Sequence, residues 1–512
     1  MRATAGEDKA IPWICKTLAV ASGLNRLTIV PGDYPCEWQL PNTEGELQIH
    51  SGTVKLTASR SPSGTIYGLD GDWTIHPESG ETSAAFPQYH FIPVLRGRLI
   101  DQGLDIAMIG AQITIMGQEM SWVRASAAVA GVDLPPSDDF RFLGAEVQFT
   151  ALDVLGGQSP LASVKHPRNW VTGEWTVRGN GDSKQVWSDS EIQISHEYNM
   201  TARMSDPYEF RLRYTPVMRF DRNVPVGVVD WVERWIEPLR NVASIATGRT
   251  ERITYLGLLP DLHVAGRPNS VAQVFAAGIG QQLFHSKQDD VTEVKTSLAF
   301  SDVSPIDLLR MSLEAREAGN PLLLTYTPSM MGTEQHPRGR YLFAMQCLES
   351  LYGFENRAAI EVNQHKYDTK REAFFEHLNS TRTLSSSTVN SKDWQFAKSA
   401  VGRRATSGLD TALRQLIDAL PASPVKDELE DLELVDEVRT ALLAAEPTVM
   451  PPTPENVLRM VRNDLAHGTR DHPAGSLAAA SEVLHRIIRA HLLRILGCGH
   501  GEQQRALNAE DR

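Results

Sequence analysis

The chain reads as an α+β multidomain protein, with a β-rich N-terminal region over residues 1–225 and an all-α bundle over 338–500. Three observations make this division. Before residue 220, short runs alternate apolar and polar residues between glycines, the period of half-buried strands. After residue 340, apolar residues return every three or four positions, the period of amphipathic helices. Between them, 226–335 mixes both patterns and reads as a bridging region packed onto the β half.

In the first region, Glu46-Leu47-Gln48-Ile49 and Thr53-Val54-Lys55-Leu56 alternate across Ser51-Gly52, which predicts a hairpin. Runs at 95–99, 104–109 and 113–116 repeat the pattern, punctuated by Gly97, Gly103, Gly110 and Gly117. Segments 191–195 and 208–214 alternate as well. Trp73, Trp122, Trp170, Trp175 and Trp187 all fall in this half. On strands such rings are core or cross-strand partners, and one of them could stack a ligand.

The period changes over 228–259, where Val232, Trp235, Ile236, Leu239, Val242 and Ala243 take helical spacing. A second short helix is expected around 305–318. From Arg340 onward, Tyr341, Leu342, Met345, Leu348 and Tyr352 make the first stripe. The next stretch carries Lys366, Lys370, Arg371 and Phe374-Phe375, and the Ser/Thr-rich 381–391 reads as a loop. Leu409, Leu413, Leu416 and Leu420 make another helix, stopped by Pro421 and Pro424. Leu429, Leu432, Val435, Val438 and Leu442 suggest one further helix with an acidic outer face. The last long helix spans about 476–496.

Composition narrows the function classes. A hydrophobic fraction of 41% and a charged fraction of 22% are ordinary for a soluble globular protein. No apolar run reaches the roughly 18 residues of a membrane span, so no membrane partner is expected. The apolar stretch at 11–30 is broken by Lys16, Asn25 and Arg26 and preceded by Glu7 and Asp8, the wrong charge for a signal peptide. Cys15, Cys36, Cys347 and Cys498 are scattered, which fits a reducing cytoplasm and argues against a zinc module. Cys498-Gly499-His500 is a weak metal pair on what reads as a frayed tail. With a net charge of −13 and a pI near 5.6, the chain is not a bulk nucleic-acid binder. Any RNA contact must come from a local patch.

The densest chemical signal is Arg462-Asn463-Asp464-Leu465-Ala466-His467, followed by Gly468. An Arg–His spacing alone is common: Arg371/His377, Arg486/His491 and Arg494/His500 share it. Context separates them. Thr453 is a good N-cap, Pro454 suits the first helical position, and Gly468 suits the residue after a helix end. Val457, Leu458, Val461 and Leu465 make one apolar face, which leaves Asn463 and His467 as surface neighbours four apart. By contrast His491 lies among Leu484, Ile487, Ile488, Leu492 and Ile495, Arg371 is followed by Glu372, and Arg494 to His500 crosses two glycines. The plain alternative is a surface arginine and a histidine placed where a helix C-terminus favours a cation.

This arrangement, Arg, a polar residue, then His after a short gap, resembles the signature of the HEPN superfamily of metal-independent ribonucleases. The wording is most similar to the HEPN domain of ApeA-type anti-phage proteins. The stretch from Leu95 through Gly117 resembles, more diffusely, the start of the N-terminal region of that family, which implies a sensing or regulatory role for 1–225. The chemistry agrees with the resemblance. RNA carries its own nucleophile, the 2′-OH, and needs a base, an acid and positive charge near phosphate. His467 can serve as base or acid near neutral pH, Arg462 can grip two phosphate oxygens, and Asn463 can orient either. Arg459 and Arg470 either extend the phosphate track or are ordinary surface arginines.

The resemblance implies an abortive-infection endoribonuclease that leaves 2′,3′-cyclic phosphate and 5′-OH ends, with transfer RNA as a candidate substrate. It further implies a homodimer that shares each site, a phage-derived trigger, and no metal or other cofactor. A different class also fits: a non-catalytic HEPN-like binding or oligomerisation module, with recognition in the β half. A carbohydrate-active enzyme on the Trp-bearing half is weaker, because no carboxylate pair stands out there.

Overall fold

The computed structural model describes residues 25–508 apart from 27–28, 42–45, 70–73, 76–81, 84–86, 117–118, 133, 137–139, 167, 169–172, 207–208, 261–269, 282–295, 333, 384–390, 402–407 and 423. Cys15, Trp73, Gly117, Trp170, Tyr208, residues 11–24 and most of the 381–391 segment therefore lie outside the described residues.

The β half is one large sheet in which nearly every pairing is antiparallel. Six of its strands close on themselves: Gln88–Leu99, Gly32–Pro41, Leu47–Leu56, Ser63–Tyr67, Met120–Arg124 and Leu104–Ile115, which pairs back to Gln88–Leu99. Closure removes the exposed edges that an open sheet of this size would carry. The barrel interior is apolar, built on Trp38, Leu56, Ile66, Leu95, Leu99, Met108, Ile113 and Ile115. Ala127–Gly131 then pairs with the first half of Leu104–Ile115 and carries the sheet outward. From it the sheet runs through Ser270–Ala276, Ile253–Pro260, Arg141–Phe149, Glu209–Gly227 and Ile192–Asp206 to Gln185–Ser188.

Two turns expected from sequence are not turns. Ser51-Gly52 sits inside the single strand Leu47–Leu56, not at a hairpin tip. Gly52 is there because a Cβ would fall 2.0 Å from the Thr65 carbonyl oxygen and 2.8 Å from Trp38 Nε1. The glycine makes room for a buried indole, whose N–H donates to Thr65 O at 2.9 Å. Likewise 104–109 and 113–116 are one strand, Leu104–Ile115. Gly110 takes φ 61° within it, and the buried positions change from even to odd across that residue.

The helix after the sheet runs from Val228 to Thr247, widened to π-helical bonding over Trp231–Ile236. It ends at Gly248, φ 71°, so the helical period stops well short of 259. Beyond it Ile253–Pro260 joins the large sheet. The short helix expected near 305 is Pro305–Glu317, capped by the Ser304 hydroxyl.

The C-terminal helices include Pro337–Glu355, Arg357–Thr383, Leu409–Asp418, Glu433–Ala445, Pro454–His467, Ala474–Ile495 and His500–Leu507. The run 429–442 is two helices: Val425–Glu430 ends at Asp431, and Leu432 takes an extended ψ of 128° before Glu433–Ala445. The expected frayed tail is a helix too, and Cys498 before it is buried. One buried apolar cluster runs from the sheet (Phe142, Val147, Phe220, Leu256) through Trp231 and Leu239 into the helices (Tyr341, Leu348, Val461, Ile487). Among the described residues no helix is long and apolar enough to cross a membrane.

Candidate active site on the Pro454–His467 helix

The motif helix begins and ends where its sequence requires. Thr453 is the N-cap with extended backbone and Pro454 is the first helical residue. The Thr453 side chain makes no capping bond, but its carbonyl accepts from Val457 N at 3.0 Å. Val457, Leu458, Val461 and Leu465 are all buried and clamp one face to the bundle. Each contributes about 1.5–3 kcal/mol of burial, enough to hold the opposite polar face steady. At the far end Gly468 takes φ 67°, and its N–H donates to Asp464 O. That conformation strains any residue with a Cβ.

His467 is therefore the last helical residue, and it is exposed. Its side chain makes no hydrogen bond to another described residue. Arg462 is half-buried. Its Nη1 donates to Asn463 Oδ1 at 3.2 Å and its Nη2 to Glu349 Oε2 at 3.0 Å. At about 100° per residue, Asn463 and His467 stand about 40° apart round the helix, whereas Arg462 and His467 stand about 140° apart. The fold thus brings Arg462 and Asn463 into contact and sets His467 beside Asn463.

The two flanking arginines differ. Arg459 lies one turn before Arg462 and is half-buried like it, donating to Asn456 Oδ1 at 2.6 Å and approaching Asp410 Oδ1 at 3.7 Å. Arg470 is exposed beyond the helix end, with no hydrogen bond or ion pair to another described residue.

Four further residues that sequence reasoning missed shape the site: Asp464, His472, Arg338 and Glu349. Asp464 Oδ1 accepts from Thr469 Oγ1 at 2.8 Å, and its Oδ2 faces His472 Nε2 at 3.3 Å. This ties the chain after the helix back onto its last turn. Arg338 donates to the Leu465 carbonyl and lies 3.8 Å from Asp471, so a guanidinium offsets the negative end of the helix. Glu349 is the fourth. Asp464 was within the motif and could have been noticed. Nothing local points to Glu349 or Arg338, which stand 113 and 127 positions from their partners.

In the other three Arg–His pairs the arginines are engaged within the protein, while His377 and His500 are exposed as His467 is. His491 is buried, and burial together with nearby Arg494 pushes its pKa down to about 3, so it stays neutral. Arg486 is buried against Glu428 and the Leu507 carbonyl. Arg494 pairs with Glu355, and the Arg371 guanidinium lies 5.0 Å over the Phe375 ring. Among the described residues no group of three or more His, Cys, Asp or Glu side chains is arranged to hold a metal ion.

No family model, no curated protein and no solved structure matches the chain significantly.

Proposed function

We propose that the chain is a metal-independent endoribonuclease of the HEPN type, related to ApeA-type anti-phage proteins. The observation that carries this reading is the solvent-open His467 beside Asn463, which itself contacts the half-buried Arg462, at a helix end braced by Asp464 and Arg338. An exposed imidazole and a guanidinium on one rigid element are groups that transesterification of RNA can use. His467 takes the 2′-OH proton or protonates the leaving 5′-oxygen. Arg462 holds the phosphate while charge develops on it, and Asn463 orients one or both. One histidine does not perform both proton transfers in a single step. The reading therefore includes a homodimer in which two copies of the helix face one cleft. The fragments carry 2′,3′-cyclic phosphate and 5′-OH ends, transfer RNA is a candidate substrate, and a phage-derived signal is the trigger.

One observation favours a second reading. Glu349 already occupies Arg462, on a chain of net charge −13. A non-catalytic bundle that only binds or oligomerises, with recognition in the β half, would tolerate such a pair. Cleavage decides between the two. His467→Ala and Arg462→Ala should each lower RNA cleavage by about 10²–10⁴-fold, with the fold unchanged because both side chains reach solvent. End-group analysis of RNA from cells expressing each chain, with and without phage, measures it. Intact RNA in every condition, from a folded wild-type chain, would establish the second reading.

A further inference from the structure

The outer face of the barrel carries a set of open aromatic rings in register. Tyr89 pairs with Thr114, Thr114 with Trp122, and Trp122 with Thr65, so these four form one row across four strands. The adjacent row is Phe91, Gln112, Arg124 and Ser63, continuing to Lys55 and Asp33. Tyr67 lies diagonally beyond Trp122 on the neighbouring strand. The four rings are 46–70% exposed. None of them stacks on another ring or makes a side-chain hydrogen bond among the described residues. Strand spacing and rise put successive rings roughly 7–10 Å apart.

Four open rings gathered on one face, not scattered singly over the surface, are the kind of platform on which flat ligands stack. Its chemistry selects the occupant. The rings are separated by Thr114, Gln112 and Thr65, not fused into one apolar patch, so each offers a flat face with hydrogen-bonding groups beside it. Arg124, two residues from Trp122, is exposed and has no ion pair with a described residue. Within the two rows no carboxylate appears before Asp33 at the far edge, where it approaches Lys55 at 3.9 Å. On an otherwise acidic chain this is a local surface complementary to a phosphate backbone with bases stacked on rings.

We propose that this face binds single-stranded RNA, with bases stacked on Phe91, Tyr89 and Trp122 and a phosphate on Arg124. The choice of RNA over DNA rests on the ribonuclease reading; the stacking surface itself does not.

The test is fluorescence anisotropy of a labelled single strand of about 12 nucleotides with the full-length His467→Ala chain, so that cleavage cannot interfere. The RNA should bind. Trp122→Ala and the double variant Tyr89→Ala/Phe91→Ala should each weaken binding roughly tenfold or more, with unchanged thermal melts. Trp122→Phe should restore most of the affinity. Arg124→Ala should flatten the salt dependence by about one phosphate contact. Absence of binding, or undiminished binding by both aromatic variants, would overturn the proposal. So would equal affinity for duplex RNA or for a neutral glycan, and tighter binding of the same sequence as DNA would overturn the assignment to RNA. RNA held through Trp122 but left uncut when His467 is intact would keep this surface and remove the ribonuclease reading instead.

Discussion

At the scale of single residues, the Arg462–Glu349 pair is the most informative contact. Both partners are partly open to water, so the pair adds no more than about 1 kcal/mol to stability. Its interest lies in the proposed ribonuclease reading, under which this guanidinium has to exchange the carboxylate for phosphate. Glu349→Gln should leave the melting temperature nearly unchanged and lower KM for RNA, measured by initial rates on a labelled substrate. A raised KM would mean that Glu349 instead orients Arg462 for the phosphate. Buried histidines set the acid stability. His196 is pushed down to about 4, and His485 and His491 to about 3, with burial the main cause in each. Unfolded, each would titrate near 6.5, so below that pH the unfolded chain binds protons that the folded chain refuses. Their contribution is fully present above about pH 6.5 and is lost as the pH falls toward about 4 and then 3. Asp153, raised by burial, acts in the opposite direction. Denaturant unfolding between pH 7 and 4 should show stability falling with acidity, and a flat profile would contradict the assignment of these rings as neutral. Of the candidate site, Arg462, Asn463 and His467 could be singled out because they fall within six successive residues of one helix; Glu349 could not, because a partner on another helix has no local signature.

At the scale of elements, the motif helix owes its end to backbone geometry more than to side chains. A Cβ on Gly468 would meet nothing within 4 Å, so Gly468→Ala tests the φ of 67° alone. It should cost about 1–2 kcal/mol. On the proposed ribonuclease reading it should also reduce cleavage, since His467 is the residue next to it. Thr453→Ala should cost well under the usual ~1 kcal/mol of a lost N-cap, because the Thr453 hydroxyl makes no capping bond. Thermal melts of the two variants compare them directly, and equal losses would show that the Thr453 cap does form in solution. The strand Leu47–Leu56 gives the converse lesson. Its Ser51-Gly52 pair has the composition of a turn, yet the glycine answers to Trp38 across the barrel. Composition reports that a backbone must be special at a point; it does not report whether a turn or a neighbour demands it.

At the scale of the molecule, the helices share one buried cluster with the part of the sheet beyond the barrel, and the barrel keeps a core of its own. Polar bonds reinforce the joint. Arg489 on the Ala474–Ile495 helix donates to the carbonyls of Ile245 at 2.8 Å and Ala246 at 2.6 Å, at the end of the Glu237–Thr247 helix. Arg505 donates to Ser297 O at 3.0 Å. Arg489→Met should cost about 1–3 kcal/mol, because it takes a charged donor from the Ile245 carbonyl, whereas the Ala246 carbonyl still accepts from the Ser297 N–H and hydroxyl. Denaturant unfolding of the full chain measures this, and a loss under about 0.5 kcal/mol would assign the joint to apolar packing alone.

What the sequence determined by itself was local. The change from period 2 to period 3.6 placed sheet before helices, because alternation and helical spacing follow from backbone geometry alone. Thr453, Pro454 and Gly468 bounded the motif helix for the same reason. Tertiary structure decided which strands close into a barrel, that Gly52 serves an indole, that Ile253–Pro260 belongs to the sheet, and that Glu349 meets Arg462. Each of these is a meeting of residues distant in the chain. Such a meeting depends on which surfaces bury best together, and no window of neighbouring residues contains it.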